Sequence, residues 1–137
     1  MISATRRYRF PAAHVLRRAD FSEAENRRVY GPCANPNGHG HDYTVEVTVT
    51  GRVDPTSGRI VEPERLDDLV ERTLLRRFSH RLLNEDPAFA GEVPTAENIA
   101  RVAHGLLAPL LAALGARLRR VRVRETRNNV FDYGEPG

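Results

Sequence analysis

The sequence predicts an α+β fold, a four-stranded antiparallel sheet with two helices on one face. Two observations carry this. Apolar and polar residues alternate with the period of a strand in stretches toward both ends of the chain, and two stretches with helical spacing lie between them. The order strand, long loop, strand, helix, helix, strand, strand suits an antiparallel sheet whose apolar face is covered by both helices.

The first strand spans Thr5 to His14, where Tyr8, Phe10, Ala12 and His14 share a face and Arg7 and Arg9 point the other way. Residues 15–42 read as loop. The second strand runs from Tyr43 to Val53, with Tyr43, Val45, Val47 and Val49 on one side and Thr44, Glu46, Thr48 and Thr50 on the other. The segment DPTSG, Asp54 to Gly58, has turn chemistry, and Arg59 to Val61 is expected to form a short return strand. Leu66, Leu69, Val70, Thr73 and Leu74 then recur with helical spacing behind Pro63. Thr95 is the expected cap of a second helix that carries Ile99, Val102, Ala103, Leu106 and Leu110 to a stop at Gly115. Next, Val121, Val123 and Glu125 alternate with Arg120, Arg122 and Arg124, and Asn128-Asn129 turns the chain into a last strand, VFDY. The free edges of such a sheet invite partner chains, so an oligomer is expected.

At 137 residues the chain fits a single domain, 1–137, large enough to bury a core without staples. Hydrophobic residues at 40% and charged ones at 28% exclude a disordered tail. The longest apolar run, Leu106 to Leu114, is too short to span a membrane. The opening MISATRRYRF lacks the apolar stretch of a signal peptide and Cys33 has no cysteine to pair with, so a cytoplasmic protein is expected. All 21 basic residues are arginines, and the net charge of +3 suits a phosphorylated small molecule or a nucleic acid. Without interleaved aromatics, nucleic acid is not the expected partner.

The chemistry-bearing residues cluster in YGPCANPNGHGHDY, Tyr30 to Tyr43. His39 and His41 lie two apart, on the face of Val45 and Val47 if extended, and His14 falls on the side of Tyr8 and Phe10. Three imidazoles can thus meet at the rim of one apolar layer, the ligand set of a catalytic zinc with an open position. Cys33 reads either as a small buried hydrophobe or, in a segment with little apolar cover, as a nucleophile or base. His80 reads as a helix cap or a catalytic partner. Glu125 takes a valine's place on an apolar face, where an unpaired carboxylate is costly; an arginine or a ligand with paired N–H donors would satisfy it. His104, inside the second helix, is read as structural.

FPAAH, CANPNGHGHDY, GRVDPTSG, SHRLLN, PTAENIA and ETRNN follow one another in the order and spacing of the 6-pyruvoyltetrahydropterin synthase family, which the chain resembles from Tyr8 to Tyr133. That family includes the 6-carboxytetrahydropterin synthases of queuosine biosynthesis. The gap of six residues from Cys33 to His39 resembles the pyruvoyl branch more.

The resemblance implies His14, His39 and His41 as zinc ligands, Cys33 as catalytic base, His80 as its proton-relay partner and Glu125 as anchor of the pterin ring, with Thr95 and Glu97 lining the pterin pocket. It implies a lyase that acts on a pterin triphosphate, and a tunnelling fold in which sheets join into a barrel and two trimers stack into a homohexamer, with active sites between subunits. Two departures stand out. Ser79 occupies the place of the usual aspartate before the relay histidine, and Asp42 replaces a commoner asparagine, where it could hold a ligand histidine in its tautomer. Product identity separates the pyruvoyl from the carboxy activity, and binding without turnover would mark a weakly active pterin-binding homologue.

Overall fold

The computed structural model describes residues 2–135. Strand β1 (Ile2–His14) pairs antiparallel with β2 (His39–Gly51) from Ile2 opposite Gly51 to His14 opposite His39. Strand β3 (Ala116–Thr126) lies against β2, and β4 (Asn129–Gly134) completes the order β1-β2-β3-β4. All pairs are antiparallel, as the alternation implied. Strand β2 starts at His39 rather than at Tyr43, because its first residues complete the ladder with Pro11 to His14.

Between β2 and β3 the helices cover one face. The first helical stretch is α2 (Pro63–Val70), a π turn at Glu71–Leu75 and α3 (Arg76–Phe78). Pro63 sits in its first turn, where a missing N–H leaves no bond unmade. Leu66, Leu69, Val70, Leu74 and Phe78 are buried along it. Helix α4 (Ala96–Ala113) starts at the expected cap, Thr95, whose hydroxyl accepts from the Asn98 N–H at 3.2 Å. Gly115, at φ 80°, ends the run in a conformation that side chains other than glycine's disfavour. These helices pack on Val45, Val47, Val49, Val121 and Val123, none more than 1% exposed. Each such buried side chain contributes roughly 1.5–3 kcal/mol, so the core face fixes which way every strand turns. The other face carries ion pairs such as Arg7–Glu46 and Arg122–Asp132. Among the described residues no helix is long and apolar enough to cross a membrane.

Two irregularities adjust β3. Val47 faces Val121 but Val49 faces Leu118, so the bulge absorbs Arg119 and keeps Leu118 and Val121 on the same side. Further on, Arg124 faces Val130 and Thr126 faces Asn129, which leaves Glu125 as the extra residue of a second bulge. The sequence reading also needs three corrections. Residues 15–42 are not all loop: α1 (Glu23–Tyr30) is capped by Ser22, whose hydroxyl accepts from the Glu25 N–H at 3.1 Å. Arg59 to Val61 form no strand; Ile60 and Val61 instead turn half-buried onto the core. The last hairpin turns at Arg127-Asn128, and Asn129 already belongs to β4.

The end of β1 gains an extra partner from the connection between α3 and α4. The His80 N–H donates to Pro11 O at 2.6 Å, the Ala13 N–H donates to Arg81 O at 2.9 Å, and Ala13 and Leu82 form a parallel bridge. One step on, the Asn84 amide imitates a strand: Oδ1 accepts from the Val15 N–H at 2.8 Å and Nδ2 donates to Val15 O at 2.9 Å. The Asn84→Ala variant is therefore expected to lose about 1–3 kcal/mol, as two half-buried backbone groups lose their partners. Urea unfolding of the metal-free protein measures it, and a change within error would show that these bonds add nothing.

Candidate functional site

Because His14 pairs with His39 and Ala12 with His41, the ladder turns all three histidines to the core face at the end of the sheet. One ring nitrogen from each lies within 4.8 Å of the others. The Nε2 atoms of His14 and His39 are 2.9 Å apart, and the rings meet edge to face with centroids at 4.5, 4.9 and 5.1 Å. His41 Nε2 is buried and has no hydrogen-bond partner among the described residues. A buried orphan nitrogen beside two further imidazole nitrogens fits a cation that accepts lone pairs, and nitrogen ligands of this type suit zinc. The described residues therefore hold a group of three histidines able to bind a metal ion.

Electrostatics favour the same state. Burial pushes the His14 pKa down to about 4, against a raising hydrogen bond to Pro94, with His39 and His41 lowering it further. His39 is likewise shifted down by burial and by His41. Neutral rings at neutral pH keep a lone pair free for a metal. His14 Nδ1 donates to Pro94 O at 2.8 Å, which ties the ring to the residue before the Thr95 cap.

Cys33 sits half-buried in a short 3₁₀ turn, Gly31–Ala34. Its carbonyl accepts from the Leu16 N–H at 2.8 Å and Arg17 donates to Ala34 O at 3.0 Å, so the turn is fastened to the chain just past His14. Burial, then the charges of Glu125 and Cys33, push the Tyr43 hydroxyl pKa up. Glu125 reaches inward from its bulge: Oε2 lies 3.8 Å from His14 Nε2, with the side chain 16% exposed. Among the described residues no arginine pairs with it, so the structural partner weighed for it is not supplied.

The remaining expected residues stand further out. His80 is exposed, and its ring has no described hydrogen bond, although it lines one surface depression with His41, Asp42 and Gly40. No described contact joins it to Cys33 within the chain, and it does not cap α3, whose end is Ser79. Thr95 spends its hydroxyl on the helix cap, while Glu97 is exposed in the first turn of α4. Asp42 does not hold a histidine; its carboxylate pairs with Arg9 on the opposite strand. His104 makes an edge contact with the Tyr133 ring at 5.1 Å, in keeping with a structural role. Two residues missed from sequence, Tyr43 and Asn84, touch His14 or its neighbour; the inward parity of Tyr43 after His39 and His41 was the available signal.

The lowered His14 pKa has a sign that can be measured. Between the usual pKa near 6.5 and the folded value of about 4, the unfolded chain binds a proton that the folded one refuses. Metal-free protein is thus expected to lose on the order of 2–3 kcal/mol as pH falls through that window. Denaturant midpoints at pH 7 and pH 4 give the loss, and a His14→Gln variant should show a smaller one.

A profile of the 6-pyruvoyl tetrahydropterin synthase family matches residues 3–136. The chain is 38% identical over 130 residues to the 6-pyruvoyl tetrahydrobiopterin synthase of Homo sapiens, covering 94% of this chain and 88% of that one. The corresponding protein of Drosophila melanogaster is 36% identical over 138 residues, with 96% and 79% covered. The structure of Caenorhabditis elegans 6-pyruvoyl tetrahydropterin synthase aligns with a TM-score of 0.87 at 34% identity, over 98% of this chain and 96% of that one. With matches that span nearly its whole length, this chain belongs to the 6-pyruvoyl tetrahydropterin synthase family.

Proposed function

We propose that the protein is a zinc-dependent lyase that converts 7,8-dihydroneopterin triphosphate to 6-pyruvoyltetrahydropterin with elimination of triphosphate. The observation that carries this reading is the meeting of three imidazoles at the end of the sheet, with the Cys33 turn tied beside them and Glu125 aimed inward. The names of full-length relatives support it.

His14, His39 and His41 would hold the metal. A bound zinc would supply Lewis-acid polarisation of the side-chain hydroxyls of the substrate. Cys33, as thiolate, takes protons from the side chain, and His80 relays them. The ring gains the hydrogens that the side chain gives up, so the redox change is internal. Glu125 accepts paired N–H bonds from the pterin ring, which gives its half-buried carboxylate donors beyond those of the described residues. Thr95 and Glu97 line the ring pocket at the start of α4. In a cytoplasmic homohexamer built as two stacked trimers, the exposed His80 ring meets the site at a subunit boundary. With Ser79 beside it rather than a carboxylate, His80 has a hydrogen-bonding neighbour of no charge.

Incubation of the protein with 7,8-dihydroneopterin triphosphate and mass analysis of the products tests the activity. The expected products are 6-pyruvoyltetrahydropterin and triphosphate. A 6-carboxy product with acetaldehyde would move the protein to the other branch, and tight binding with no triphosphate released would make it a pterin-binding homologue. The Cys33→Ala variant is expected to keep its metal and lose turnover by about 100-fold or more. Near-normal turnover would remove Cys33 from the mechanism.

A further inference from the structure

His14 Nδ1 has two oxygen neighbours. Pro94 O, at 2.8 Å, is a carbonyl and can only accept, so Nδ1 carries the ring proton and Nε2 keeps its lone pair toward His39. Tyr43 Oη lies 3.1 Å from the same Nδ1. A protonated nitrogen cannot accept from the phenol, so the Tyr43 oxygen is the acceptor and one N–H is shared between two oxygens. Tyr43 is fully buried, and its ring stacks on Phe10 at 5.2 Å with 19° between planes. Its edge contacts with His14 and His41, at 6.0 and 5.5 Å, leave the hydroxyl little freedom to leave that nitrogen.

We propose that Tyr43 is a positioning residue for the metal centre, in which its hydroxyl oxygen and the Pro94 carbonyl together fix the tautomer and ring plane of His14. The inference rests on the reading of the three histidines as metal ligands. Oxygen acceptors on the far nitrogen of a ligand histidine make the near nitrogen a better donor and hold it in aim. The strand delivers this economically: His39, His41 and Tyr43 are successive inward residues of β2, so one register places two ligands and the support of the third.

The Tyr43→Phe variant removes one oxygen and keeps the ring on Phe10. Zinc is titrated onto metal-free wild type and variant in competition with a chromogenic chelator, without substrate. The expected result is affinity weaker by about 10-fold or more in the variant. A hydroxyl that served only the fold would leave zinc affinity equal in the two proteins, and that result overturns the inference alone. Wild type that takes up no zinc overturns the metal reading together with it. Should the variant fail to fold, nitrogen-15 spectra of the histidines in zinc-loaded wild type give the same test: a protonated Nδ1 on His14 supports the inference, and an unprotonated one ends it.

Discussion

Strands β1 and β2 are each 13 residues long and pair along their whole length, and the alternation that buries Phe10 beside Tyr43 also turns His14, His39 and His41 inward. A slip of one residue would send the apolar set of one strand to the polar face and the histidines with it. Core burial thus enforces site geometry. The valines of β2 and β3 penalise slippage, while the histidines occupy the last rungs of the β1–β2 ladder, His14 fully buried and His39 and His41 half-buried. The convergence of the three histidines is in this sense a by-product of hydrophobic registration.

Past His14 the ladder stops, and side chains together with one backbone bond take over its work. Val15 is held by the Asn84 amide, Leu16 by the Cys33 carbonyl, Arg17 reaches Ala34, and Arg18 is bonded through its N–H and C=O by the buried amide of Asn26. Four consecutive residues therefore collect the loop of His80, the turn of Cys33 and the helix α1. Amide side chains suit this task, since each offers a donor and an acceptor at the spacing of a strand partner. The loops that carry Cys33 and His80 are anchored to the strand of His14 and not merely laid over it.

Periodicity made the sheet, both long helices and the facing of the three histidines legible, because each depends on burial that repeats at a fixed interval. What escaped lacks such a period. Helix α1 buries only Asn26, so no apolar stripe announced it, and its one sequence sign was the Ser22-to-Glu25 capping pattern. The bulge at Arg119 resets the alternation between Leu118 and Val121 without any glycine to mark it. The inward aim of Glu125 was legible from its parity with Val121 and Val123, but its nearness to His14 depends on how β3 lies across β2. Asp42 misled for the opposite reason: a charge beside a ligand suggested a second contact, and the cross-strand neighbour Arg9 took it.

His80 adopts φ 60°, the one non-glycine residue with positive φ among those described. Such a conformation costs on the order of 1–3 kcal/mol for a residue with a side chain. The bond from its N–H to Pro11 O shows what the backbone gains, namely an attachment of the loop to the edge of β1. Glycine would make that same bond with less strain, so backbone needs alone do not account for an imidazole at this position. The ring itself makes no described hydrogen bond and contributes nothing to the core. The strain is thus accepted at an exposed side chain that shares a surface depression with His41, the place the proposed relay role requires of it.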